Sequence, residues 1–102
     1  MPVPIARRRL YEEQVRALAG VADRLLSLGW PEEKVARHLV DARNRLKIVA
    51  RRADDPAIVA LIEARNFARY GHPVGPTADQ LVARYGSWSA VIEAAARPAT
   101  LS

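Results

Sequence analysis

Residues 31–52 read PEEKVARHLVDARNRLKIVARR, and the rest of the chain must be arranged around this stretch. Pro31 suits a first helical position, where its missing N–H is no loss. Glu32 and Glu33 place negative charge at the positive end of the helix dipole. Val35, Leu39, Ala42, Leu46 and Val49 recur at steps of four, three, four and three residues, which on an α-helix is one continuous apolar stripe. Val40 and Ile48 fall on a second face, with Asn44 between them. A helix with two apolar faces must pack against more than one neighbour.

The same stretch carries seven Lys or Arg against three Asp or Glu. Residues 1–30 have five against three, and residues 53–102 have four against five. The net charge of +5 therefore belongs to the first half of the chain. A basic balance of this kind points toward nucleic acid, through Arg7, Arg8 and Arg9 and the positive side of the second helix: Arg37, Arg45, Lys47, Arg51 and Arg52. A chain of 102 residues supports one domain with a modest core. With no cysteine, a disulfide framework, thiolate chemistry and a Cys-based zinc site are excluded. No apolar run approaches the roughly 18 residues of a membrane span, and MPVPIARRRL lacks the apolar core of a signal peptide. No membrane partner is expected.

Upstream, Tyr11, Val15, Leu18, Ala22 and Leu25 repeat the four-three step and predict a helix from Leu10 to Leu28, stopped at Gly29. Trp30 should close the shared end of this helix and the second one. Pro2 and Pro4 argue for an irregular basic arm over residues 1–9. Downstream, Asp55 and Pro56 start a third helix reaching Tyr70. Its apolar residues point in nearly every direction, so it is expected to be the most buried element. Residues 71–76, GHPVGP, cannot continue a helix. Thr77 and Gln80 form a capping box for a short helix ending at Gly86, and Ser87 can cap a last one ending before Pro98. No stretch alternates as a strand would. The expected fold is all-α: five helices in one domain over residues 10–97, with a frayed tail over 98–102.

Residues 39–47, LVDARNRLK, and 61–69, LIEARNFAR, align without a gap. If the two copies face each other, Arg43, Asn44, Arg65 and Asn66 converge, with Asp41 and Glu63 completing the hydrogen bonding. Such a cluster serves either as a polar layer that fixes helix register or as an anion-binding or catalytic site. His38, with Asp41 one turn on, and His72 in the linker are the only imidazoles and the remaining acid–base candidates. No metal motif, glycine-rich phosphate loop or cofactor signature occurs. No metal or cofactor is expected, and whether the protein is an enzyme stays open.

Two resemblances bear on function. Tyr85-Gly86-Ser87-Trp88 with Ala94-Ala95 is similar to the pattern of small helix-turn-helix repeats associated with homing endonucleases. A wider set of landmarks comprises Ala64-Arg65-Asn66, Tyr70-Gly71-His72-Pro73, Gly75-Pro76-Thr77, Ser87-Trp88 and Ala96-Arg97. It resembles the C-terminal effector domains of Rhs-type bacterial polymorphic toxins, over roughly residues 35–97. The chain departs from that pattern where Arg97 meets Pro98. The resemblance implies a toxic effector, acting on nucleic acid in one version, with an immunity protein as partner. Its place would be the bacterial cytoplasm, or a target-cell cytoplasm after delivery. Two readings of the residues themselves stand beside it. One is a small basic DNA- or RNA-binding protein. The other is a non-enzymatic interaction module, which could form a homodimer through the second helix by way of Val40 and Ile48.

Overall fold

The computed structural model describes residues 5–51, 56–70 and 76–98, except for the side chains of residues 5–7, 48–51, 56, 59 and 70. The described residues form five helices and no strand: α1 (Ile5–Ser27), α2 (Glu32–Arg51), α3 (Pro56–Tyr70), α4 (Ala78–Tyr85) and α5 (Trp88–Ala95). The all-α expectation holds. Residues 5–9, read from sequence as part of an irregular arm, belong to α1. Pro4 immediately precedes the first turn, where a missing N–H removes no helical hydrogen bond, so it does not oppose helix there.

The α1–α2 connection is a complete Schellman turn. The Trp30 N–H reaches the Leu25 carbonyl at 3.1 Å, and the Gly29 N–H reaches Leu26 at 3.0 Å. Gly29 takes a φ of +89°, a region that a side chain would strain. Trp30 packs on the core at this end and meets His38 edge-on at 5.9 Å, with Lys34 Nζ 4.2 Å from the indole centroid.

The core is built from Val15, Leu18 and Ala22 of α1, Val35, Ala36, Leu39 and Val40 of α2, Ala78 and Leu81 of α4, and Val91, Ala94 and Ala95 of α5. Both apolar faces of α2 are used. α1 packs against this helix, and so does α5, while α4 packs mainly on α5. Val40, on the second face, is 0% exposed. It is therefore core, not a free surface for pairing with another chain, and the side chain of Ile48 lies outside the described residues.

α3 departs furthest from expectation. It touches only α2 and contributes no fully buried residue among those described. Leu61 is 69% exposed, Phe67 57% and Ile58 46%. The helix is apolar all round, yet it lies at the edge of the bundle. A short, strongly apolar helix is expected inside only if enough other helices surround it. In this chain α4 and α5 occupy the second face of α2 instead.

Candidate functional site

The polar groups that matter most lie on α2 and reach toward the C-terminal hairpin. Arg43 sits one turn after Leu39 and Val40, on a face that the core claims, and is 1% exposed. Its guanidinium meets the end of α5. Nη1 donates to the carbonyls of Ala94 at 3.1 Å, Ala95 at 3.0 Å and Arg97 at 2.6 Å, and Nη2 to Pro98 at 2.9 Å. These carbonyls lie at the C-terminal end of α5, whose last turn holds no basic side chain of its own; that of Ala94 also accepts the Arg97 N–H at 3.1 Å. They also form the negative end of the helix dipole, so a cation is doubly suited to them. Burial pulls the Arg43 guanidinium below its ordinary value, while Tyr11 beside it acts in the opposite direction. An arginine starts so far above neutrality that it stays charged. Its Nε has no hydrogen-bond partner.

The next residue fastens the other end of the hairpin. Asn44, also buried, donates from Nδ2 to the Pro76 carbonyl at 3.2 Å, just before the Thr77 cap of α4, while its Oδ1 is unpaired. Arg37, two turns earlier than Asn44, is shared by Asp79 at 2.8 Å and Glu33 at 3.0 Å, and its guanidinium carbon lies 5.0 Å from the Trp88 ring centroid. Hydrogen bonding to Asp79 first and Glu33 second raises Arg37 above its ordinary value, and Arg37 holds Asp79 below the usual carboxylate range. These groups are exposed, so solvent screens the pair.

The hairpin itself is capped as its sequence predicts. The Thr77 N–H donates to Gln80 Oε1 at 3.0 Å and the Gln80 N–H donates to Thr77 Oγ1 at 3.2 Å. Gly86 closes α4 at φ +89°, with its N–H on the Val82 carbonyl. Ser87 Oγ accepts from the Ala90 N–H at 3.1 Å. Just past α5, Arg97 turns back onto Glu93.

The two Ala-Arg-Asn segments do not form a shared cluster. Arg43 and Asn44 are spent on α5 and the start of α4. Arg65 is exposed and Asn66 half-buried. Glu63 pairs with Arg45 at 3.2 Å, a link between α2 and α3. Asp41 is exposed, and His38 contacts Trp30, not Asp41. His72 lies outside the described residues. No group of three His, Asp or Glu side chains able to hold a metal ion comes together among the described residues.

The basic surface of α2 is likewise largely engaged. Arg37 and Arg45 have acidic partners, Lys34 sits over Trp30, and Lys47 also takes part in an interaction. Arg8 and Arg9 are exposed on the first turns of α1, while the side chains of Arg7, Arg51 and Arg52 lie outside the described residues. α5 turns Ser89 and Glu93 to solvent, a poor set of groups for reading base edges.

Sequence reasoning missed the partner of Arg43, although two signals were available. One was an arginine three, four and seven residues after Val40, Leu39 and Ala36, on a face made of core residues. The other was a last helix ending in Ala-Ala-Ala-Arg-Pro with no cap of its own. No protein-family model, curated protein or solved structure matches the chain.

Proposed function

We propose that this protein is a non-enzymatic helical interaction module that presents α3 to a protein partner. The observation that carries this reading is the exposure of Ile58, Leu61 and Phe67 on one helix. Large apolar side chains grouped on one element mark association surfaces, whereas scattered ones carry no such meaning. Among the described cations of α2, Arg37, Arg45, Lys34 and Arg43 are directed to Asp79, Glu63, Trp30 and the α5 carbonyls.

Several of the landmarks behind the effector-domain reading have structural work in this chain. Thr77, Gly86 and Ser87 cap helices, Trp88 stacks on Arg37, and Pro76 receives Asn44. A likeness carried by such residues speaks for similar architecture, and an activity has to be tested separately. Incorporating a photo-crosslinking residue at Ala64 and, as a control, at the exposed Arg84 tests the module directly in bacterial cells. Discrete protein adducts from position 64 alone are expected, with normal growth and intact nucleic acid. Growth arrest with nucleic-acid loss, or equal adducts from both positions, would favour the effector reading or no interface at all.

A further inference from the structure

We infer that α3 is a strap that undocks from α2 and melts as one unit while α1, α2, α4 and α5 stay assembled. This holds whether or not a partner covers the outer face of the helix. Among the described side chains of α3, those turned toward the bundle are Ile62, Glu63 and Asn66. They follow at steps of one and three and so make one stripe, about 100° wide. All three are only half-buried, and α2 is the helix on which α3 packs. Two of the three are polar, so docking removes little apolar surface from water.

The tie across the seam is weak as well. Glu63 meets Arg45 at 3.2 Å, and the Arg45 side chain is 63% exposed. An ion pair open to water is screened, and it holds two long side chains at an entropic cost. α5 is held differently: Val91 and Ala95 are fully buried, and the Arg43 guanidinium closes the helix end from inside. Opening free energies within one protein follow such differences. They run from near zero, where few apolar contacts are buried, up to the global value in the core.

Once undocked, α3 has little to keep it helical. Fifteen residues are marginal for an isolated helix in water. Undocking and melting are therefore one step, which parts Glu63 from Arg45 and returns both to solvent. α2 keeps its place without α3, because its buried apolar residues belong to the core shared with α1, α4 and α5.

Amide hydrogen exchange of the full chain at low micromolar concentration tests the inference. After correction for intrinsic rates, amides 61–66 should exchange together. They should be about a hundredfold or more faster than amides 39–43 of α2 and 91–95 of α5. Glu63→Gln, or salt raised to about 0.5 M, should speed exchange in α3 by about two- to fivefold and leave α2 and α5 unchanged. Ile62→Ala should speed it by about fivefold or more, again in α3 alone. Protection in α3 equal to that in α2 overturns the inference. So does a gradient rising from both ends of the helix, which is fraying and not undocking. Ile62→Ala that speeds exchange equally in α2, α3 and α5 would also sink it, because α3 would then be part of the cooperative core.

Discussion

The C-terminal hairpin and α3 are both short, both apolar, and both attached to α2, yet they are held in opposite ways. α4 and α5 contribute Ala78, Leu81, Val91, Ala94 and Ala95 to the core. They are further fixed by Arg43, Asn44 and Arg37 at three places along α2. Among the described residues α3 packs on α2 alone, is tied to it by the Arg45–Glu63 ion pair, and keeps Leu61 and Phe67 in water. Apolar composition therefore did not decide burial. What decided it was which element had caps and polar handles that matched those on α2. The hairpin offered the carbonyls at the end of α5 where α2 offered a guanidinium.

The contrast can be broken most severely at Arg43. Arg43→Ala should lower stability by about 3–5 kcal/mol, because it takes this donor from the Ala95, Arg97 and Pro98 carbonyls and leaves a cavity. The loss should appear as early melting of α5 by amide exchange. Arg43→Lys should recover only part of it, since an ammonium cannot span carbonyls from residue 94 to residue 98 with a planar fork. Full recovery would mean that charge alone, not the fork, holds the helix end.

A paired substitution sharpens the difference between core and edge. Leu39→Ala should cost about 2–5 kcal/mol in denaturant unfolding. Leu61→Ala should stay within about 0.5 kcal/mol. Equal losses at the two positions would show that α3 is covered within the monomer after all.

Gly86→Ala probes the hairpin turn alone. Nothing lies within 4 Å of the added methyl group, so packing gives no penalty. The φ of +89° should still cost about 1–2 kcal/mol, read as a lower thermal midpoint. Alanine at Gly20, in the middle of α1 and equally open, should instead stabilise by up to about 1 kcal/mol.

The smallest effect belongs to Asp79. Its folded pKa is depressed by Arg37, so its contribution is present above the ordinary carboxylate value of about 4 and fades as pH falls through the depressed one. Asp79→Asn should change stability only slightly at neutral pH, and high salt should remove the difference. It should also flatten the acid limb of the stability profile. An unchanged acid limb would mean that Glu33 alone satisfies Arg37.

Much of the architecture was legible in residue order because it is local. The four-three repeats of α1 and α2, the glycine at the α1 terminus, the Thr77–Gln80 box and the Ser87 cap each depend on atoms within a few residues, and each formed as read. The second apolar face of α2 was also visible, and it does bind further helices. The candidate site was legible only in part. Arg43 and Asn44 were singled out by their match to Arg65 and Asn66, but a repeat in sequence carries no information on which way two helices are turned.

What the sequence determined by itself was the number of helices, their approximate ends apart from the start of α1, and the two faces of α2, because hydrogen bonding within a turn and the 3.6-residue period need no distant partner. Only the tertiary structure decided that Arg43 would close α5, that Val40 would be core, and that α3 would lie at the edge. Those outcomes follow from competition among helices for the limited surface of α2. The hairpin prevailed there because it filled the apolar face and supplied acceptors for a buried cation, a balance of packing and desolvation set only when all the elements are present together.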